Sequence, residues 1–230
     1  MKYFVATLLF ICTVTFSFAQ ESTEKEVDSL YKEDQFYAGV TYNLLGQIPD
    51  GLSQSGFSLG FHLGFIKDMP INAKRNVAIG IGLGYSANSF NQNLLIGDDG
   101  LGGFEYSVLE DSDTYTKNKF STHLIEMPIE FRWRTSTPIE YNFWRIYTGF
   151  KVGYVFSNTT KHLGDTEDFK YNNIDDFNAL QYGFTLSAGY STWNFYLYYA
   201  LNPIFTNDAK IGGEAIDTNA VKIGLMFYIL

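Results

Sequence analysis

Charged side chains alternate with large apolar ones in the middle of the sequence, a spacing that places the two sets on opposite faces of a β-strand. The candidate charged cluster consists of Glu126, Glu130, Arg132, Arg134, Arg145, Lys151 and Lys222. If these groups share a dry interior they must neutralise one another, because removing one partner of a buried pair costs about 3–5 kcal/mol. We interpret the set as a structural plug of ion pairs, with a proton or ion path as the alternative. The tyrosines expected to fill the same interior are Tyr37, Tyr147, Tyr196 and Tyr198.

A serine and a histidine, Ser121 and His123, lie two positions apart, so that on a strand they share one face. A hydroxyl beside an imidazole could cleave or transfer acyl chains if a carboxylate oriented the imidazole. The facing part of the next segment offers Val152, Tyr154 and Phe156 and no acidic residue. We therefore predict no catalytic residue, and a lipid-modifying enzyme is the third-ranked alternative.

Metal and cofactor chemistry has few candidate residues. His62 is expected to face the interior alone, His162 is expected in a loop, and the single cysteine, Cys12, lies near the N-terminus. Acidic residues concentrate in the segments 98–113 and 165–176, and their spacing matches no dedicated calcium loop. The simplest interpretation is that these acidic loops are solvated. The alternative is that divalent cations bridge their carboxylates to lipopolysaccharide phosphates. We predict no cofactor and no metal site, and the net charge of −9 argues against nucleic acid as a partner.

The elements that must position these residues have a period of two. In the segment 56–66, large apolar residues alternate with Gly, Ser and His, and the segment 77–87 repeats the pattern with Gly, Ala and Ser. A soluble barrel would turn charged residues towards solvent, whereas here the second face is small. Small residues suit the lumen of a narrow barrel and the Phe, Leu, Ile and Val face suits lipid. The pattern predicts strands that cross a membrane.

Continuing the count predicts an all-β fold, a transmembrane antiparallel up-and-down β-barrel of eight strands with short and long connections in alternation. The predicted strands are 36–44, 56–66, 77–87, 120–134, 143–157, 179–190, 194–202 and 219–229. A ten-stranded barrel, with an extra hairpin from Ser89 to Ile96 and Phe104 to Leu109, is the alternative. Pro128 is expected to point inward and to mark a bulge.

The N-terminal residues have the pattern of an export signal. Lys2 precedes the apolar stretch 4–16, and Ser17-Phe18-Ala19 forms a small-x-small cleavage site. We predict a signal peptide at 1–19, a periplasmic tail at 20–35 and the barrel at 36–230. An even strand number would return both ends of the barrel to the periplasm of a bacterium with an outer membrane.

Two strands resemble a known family. Residues 123–131, HLIEMPIEF, resemble the (Y/L)-(L/I)-E-(I/M)-P strand of the PorT-like outer-membrane barrels, and 147–154, YTGFKVGY, are similar to that family's next strand. The resemblance implies a small outer-membrane barrel, and the family's namesake assists protein secretion. It implies no catalytic residues.

The function we expect is therefore structural or interaction-based, accessory to protein secretion or envelope maintenance, with a narrow transport pore as the second class. Expected partners are outer-membrane lipid and lipopolysaccharide, the barrel-assembly machinery and secretion-system proteins. Because about eight strands enclose space that side chains can fill, we do not expect an open general porin.

Overall fold

The computed structural model describes residues 32–110, 112–136, 143–165 and 167–229. The predicted signal peptide and residues 20–31 of the predicted tail lie outside these ranges. Within them, no helix is long and apolar enough to span a membrane.

The regular elements of the described chain are strands. In chain order they are β1 (Gln35–Gly46), β2 (Leu59–Pro70), β3 (Val77–Asn91), β4 (Leu94–Asp98), β5 (Phe104–Val108), β6 (Tyr115–Arg134), β7 (Trp144–Gly164), β8 (Asp168–Asn172), β9 (Leu180–Tyr190), β10 (Trp193–Ala200), β11 (Lys210–Ile211), β12 (Glu214–Ala215) and β13 (Asn219–Ile229).

Eight of these strands close into an antiparallel barrel. β1, β2, β3, β6, β7, β9, β10 and β13 pair in sequence order, and β13 pairs back onto β1 with Ile229 opposite Phe36. The predicted eight-stranded barrel is confirmed. The ten-stranded alternative is wrong, because β4 and β5 pair only with each other. Each has five residues, too few for the 9–11 or so that a tilted strand needs to cross a bilayer.

The two ends of the barrel differ. At one end of the barrel, called here the turn end, lie the strand ends that short connections join, namely Pro70 and Val77, Arg134 and Trp144, and Tyr190 and Trp193. Gln35 and Ile229 lie there too. At the other end, the loop end, lie the strand ends that long connections join, namely Gly46 and Leu59, Asn91 and Tyr115, Gly164 and Leu180, and Ala200 and Asn219. The strands β6 and β7 extend furthest towards the loop end, where β8 pairs with β7.

The outer wall is apolar and the inner wall is partly made of glycine. Leu63 and Leu83 face outward with 55 % and 65 % of their surface exposed, whereas Gly64 and Gly84 face inward. A Cβ on either glycine would collide with the Tyr37 side chain. The small residues on β2 and β3 therefore make room for a large tyrosine in the lumen.

Aromatic residues form a girdle on the outside at the turn end. Trp133, Trp144, Tyr190 and Trp193 are all exposed there, and the rings of Trp144 and Tyr190 lie 5.4 Å apart. Such girdles mark the interface between hydrocarbon and water in outer-membrane barrels.

Pro128 points inward as predicted, but the predicted bulge is wrong. The β3–β6 register is the same on both sides of it, with Ile81 opposite Ile129 and Gly84 opposite Glu126. Proline removes one donor from the ladder without inserting a residue, so the register does not change. The β6–β7 pairing has its register shifts on the loop-end side instead, one between His123 and Leu124 and one between Tyr115 and Lys117.

Candidate functional site in the barrel lumen

All seven residues of the candidate charged cluster are buried inside the barrel, as are the four predicted tyrosines. They do not form one cluster. The structure divides them into a set at the turn end, a set in the middle of the lumen and one arginine, Arg145, that has no carboxylate partner among the described residues.

The set at the turn end is organised by Asp68, which is fully buried near the end of β2. Arg134 donates to both of its carboxylate oxygens at 2.8 and 2.7 Å, and Arg132 donates to Oδ1 at 2.8 Å. A two-point contact between a guanidinium and a carboxylate fixes both groups more firmly than a single bond. Sequence reasoning missed Asp68, because it assigned 67–76 to a connection.

Glu33, just before β1, and Gln35, its first residue, complete this set, although both were expected in the tail. The Glu33 carboxylate lies 3.6 Å from Arg134 Nε, and its backbone carbonyl accepts a bond of 3.2 Å from Arg132. The Gln35 amide oxygen also accepts from Arg132. The chain entering the barrel therefore seals the turn end. The inward alternation of Glu33, Gln35 and Tyr37 was the signal available in the sequence.

Glu130 and Arg145 have weaker partners than expected. Glu130 Oε2 lies 3.6 Å from Arg132 Nε, and neither atom has a hydrogen-bond partner among the described residues. Arg145 has no ion pair with a described carboxylate, and its guanidinium carbon lies 4.5 Å from the Phe143 ring centre and 5.6 Å from that of Tyr228. Cation–π contacts stabilise this arginine in place of the expected carboxylate.

The middle of the lumen is organised by Glu126. Lys151 Nζ donates to its Oε2 at 2.9 Å, and Ser86 donates to its Oε1 at 2.7 Å. His62 was expected to face the lumen alone, but its Nδ1 lies 3.7 Å from Glu126 Oε2 and its Nε2 lies 3.0 Å from Thr41 Oγ1. That expectation is wrong, because residues on neighbouring strands converge across a narrow lumen.

Tyrosine rings surround the two lysines of the lumen. Lys151 Nζ lies 4.8 Å from the Tyr198 ring centre and 5.5 Å from that of Tyr196. Lys222 Nζ lies 5.0 Å from the Tyr198 ring. Between the charged sets, the cavity bounded by Tyr37, Glu130 and Tyr196 has a volume of about 10 Å³, room for about one water molecule.

An aromatic cap closes the lumen at the loop end. It consists of Phe90, Phe120, Phe177 and Phe205. The ring centres of Phe90 and Phe120 lie 4.9 Å apart, and those of Phe177 and Phe205 lie 4.7 Å apart. Phe120 is fully buried and also contacts Phe177 and Phe205. Two of these residues come from long connections, which have no strand periodicity to reveal them. Sequence reasoning missed the cap for that reason.

The long connections pack onto this cap and onto one another. The Tyr106 hydroxyl, on β5, donates a bond of 2.7 Å to Asp176 in the connection before β9. Burial and the Asp176 carboxylate raise the pKa of Tyr106. At the tip of the β4–β5 hairpin, the backbone N–H groups of Leu101 and Gly103 bind Asp99 and lower its pKa.

Ser121 and His123 lie on the outer wall, near the loop end. His123 Nδ1 is 2.6 Å from the Tyr85 hydroxyl, and no bond joins it to Ser121 or to a carboxylate of the described chain. Among the described residues, no group of three or more His, Cys, Asp or Glu could hold a metal ion.

A closed eight-stranded barrel with an apolar outer wall and a charged, filled interior is the structure of a small outer-membrane β-barrel protein. The family model of the outer membrane protein beta-barrel domain matches residues 18–206, and the chain belongs to this family. Its location is therefore the bacterial outer membrane.

Solved structures similar to this chain include the attachment invasion locus protein Ail of Yersinia pestis, solved with the heparin analogue sucrose octasulfate. It is 12 % identical, with a TM-score of 0.40, and the match covers 87 % of this chain and all of Ail. A mutant porin of Rh. blastica is 10 % identical, with a TM-score of 0.21 and coverage of 86 % of this chain and all of the porin. A search of curated proteins found no relative that matches this sequence.

Proposed function

We propose that this protein is a non-conducting, non-enzymatic outer-membrane barrel that holds an ordered group of loops at the cell surface and acts through structure or interaction. The observation that carries the proposal is the filled lumen. Ion pairs occupy its turn end and middle, an aromatic cap closes its loop end, and the cavity between the charged sets measures about 10 Å³.

The proposal includes an orientation, with the loop end outside the cell and both barrel termini in the periplasm. Short turns on the periplasmic side and long loops outside are the usual arrangement in this class. The orientation can be tested with single cysteines, because the sequence has one cysteine, in the predicted signal peptide. On intact cells, an impermeant thiol reagent should label Leu101→Cys, at the 93 % exposed loop tip, and should spare Lys74→Cys at the turn end. The reverse labelling would overturn the orientation.

The long loops pack against one another instead of extending separately into solvent, and such an ordered surface supports an interaction role. Tyr106 ties the β4–β5 hairpin to the connection before β9, so the surface offered to a partner is held on a rigid barrel. The resemblance of residues 123–131 to the PorT-like strand points to secretion-system proteins as that partner, with envelope maintenance as the broader role.

Conductance tests the first part of the proposal. Purified protein reconstituted into planar bilayers should show little or no steady current. Large, stepwise openings would instead favour a narrow pore, for which the charged groups His62, Glu126 and Lys151 in the middle of the lumen would be the candidate path.

Affinity purification from native membranes tests the interaction. Replacing residues 98–103 with a Gly-Ser turn should remove a co-purifying partner, whereas the same replacement of 71–76 at the turn end should not. Retention of every co-purifying protein by both variants would contradict a role for the loop end.

A further inference from the structure

Four lysines form a patch on the outer wall at the loop end. Lys119 on β6 lies directly opposite Lys161 on β7, which lies directly opposite Lys170 on β8. Lys117 is two positions from Lys119 and shares its face. Since Asn118 and Phe120 are buried on the inner side, the lysines point away from the loop core. They lie beyond Ser121 and His123, at the upper edge of the apolar wall.

This arrangement is unfavourable for the protein alone. Like charges directly opposite one another on a sheet destabilise it, and none of the four lysines has an ion pair among the described residues. Asp168, two positions before Lys170, is an acidic side chain on the same face, and no ion pair joins it to any of these four lysines. The patch is positively charged, although the net charge of the whole chain is −9. An anion from outside the chain would offset the repulsion.

Two open depressions follow one another along β2, β3 and β6 below the patch. The first, of about 380 Å³, is lined by Lys117, Lys119, Ser121 and His123 together with apolar residues such as Phe61. The second, of about 540 Å³, lies nearer the turn end and has an almost wholly apolar lining. Its outward residues include Leu63, Leu83, Tyr85 and Ile125.

The gradient along this wall from cationic to apolar matches an amphiphile with an anionic head and an acyl chain. The row of Lys119, Lys161 and Lys170 crosses three strands, about 10 Å at the usual strand spacing. That breadth suits a head with more than one phosphate better than a single phosphodiester. Each lysine near a membrane surface adds to the attraction for anionic lipid.

We propose that Lys117, Lys119, Lys161 and Lys170 bind the phosphate groups of a lipid A-type glycolipid of the outer leaflet, with one acyl chain along the two depressions on β2, β3 and β6. The site rests on the proposed orientation, which places the loop end in that leaflet. The lipid would neutralise the lysine row and hold the tall β6–β7 sheet upright at the membrane surface.

Binding of bisphosphorylated lipid A to the full chain, folded in zwitterionic detergent, tests the site by native mass spectrometry. Lys117→Gln/Lys119→Gln should weaken binding about tenfold or more, and raised salt should weaken wild-type binding in the same direction. The matched control is Lys67→Gln/Lys74→Gln, because both lysines are exposed near the turn end. It should keep wild-type affinity. The lysine variant and the wild type should bind dephosphorylated lipid A with the same affinity.

Several results would overturn the site. The first is that Lys117→Gln/Lys119→Gln binds lipid A as tightly as the wild type does. The second is that the control variant loses as much affinity for lipid A as the lysine variant. The third is that the wild type binds phosphatidylglycerol or inorganic phosphate as tightly as it binds lipid A. Boiling-dependent gel migration, unchanged in every variant, checks that the barrel has folded. The cysteine labelling described above reports the orientation separately, so a reversed orientation is distinguishable from a missing lipid site.

Discussion

Arg134 donates to both carboxylate oxygens of Asp68, at 2.8 and 2.7 Å, with both side chains fully buried at the turn end of the lumen. Arg132 shares Oδ1 of the same aspartate. One carboxylate therefore pairs with two arginines, and Asp68 makes hydrogen bonds to both, whereas Glu130 lies 3.6 Å from Arg132 without one.

The first prediction concerns this difference. Asp68→Asn should lower the free energy of unfolding by about 3–5 kcal/mol, because it leaves two buried guanidinium groups without their shared carboxylate. Glu130→Gln, the matched control, should cost clearly less, since Glu130 lies 3.6 Å from Arg132 without a hydrogen bond. Urea unfolding in detergent, followed by tryptophan fluorescence, measures both. Equal losses would show that the charge is spread over the whole lumen.

A double-mutant cycle on Glu126 and Lys151 tests the pair in the middle of the lumen. Each single change, Glu126→Gln or Lys151→Met, should cost about 3–5 kcal/mol because it leaves an unpaired buried charge. The double variant should lose about 0.5–3 kcal/mol less than the sum of the two single losses, and this difference is the coupling energy of the pair. Additive losses in the same unfolding assay would mean that water already solvates both groups.

The aromatic cap is expected to contribute to stability through packing. Phe120→Ala should cost about 3–5 kcal/mol, the usual range for a buried phenylalanine, because Phe120 contacts three other rings of the cap. Phe57→Ala is the control, since Phe57 is 81 % exposed. Thermal unfolding by circular dichroism compares the two. If Phe120→Ala and Phe57→Ala have the same melting temperature, the cap adds no stability to the barrel.

The bond between Tyr106 and Asp176 predicts a pH dependence of the loops. Because the pKa of Tyr106 is raised in the folded state, its contribution is fully present below the unfolded value of about 10 and is lost as the pH rises above it. Tyr106→Phe should remove this dependence and should cost about 1.5–3 kcal/mol at neutral pH, the range for a hydrogen bond to a charged group.

Protease cleavage of the long connections measures this effect more directly than unfolding of the barrel. Tyr106→Phe should accelerate cleavage at neutral pH, whereas Tyr190→Phe, at the turn end, should not. If Tyr106→Phe is cleaved at the same rate as the wild type from pH 7 to pH 11, the bond between Tyr106 and Asp176 does not hold the loops together.

Much of the barrel could be predicted from the sequence, because lipid and lumen impose opposite demands on successive residues. The segments 56–66 and 77–87 have this alternation, and both lie within or close to β2 and β3. The pattern failed where the outer face leaves the lipid. β6 begins at Tyr115 rather than at residue 120, and β7 continues to Gly164 rather than ending at 157, since polar lysines and threonines replace the apolar residues there.

The candidate charged residues could be placed in the interior from the sequence, but their partners could not. Alternation identifies the face of a strand on which Arg134 lies, and that face is set locally by the period of two. The partner depends on barrel closure and on the stagger between strands, which bring Asp68 from β2 and Glu33 from before β1 to the same point.

The sequence by itself determined the all-β barrel class, the lipid-facing wall and the inward position of the seven candidate charged residues, because each follows from a pattern repeated along single strands. The tertiary structure alone decided the division of the charges into two sets, the aromatic cap and the lysine row on β6, β7 and β8. Each of these joins residues far apart in the chain, and only the pairing of whole strands and the packing of long loops brings them together.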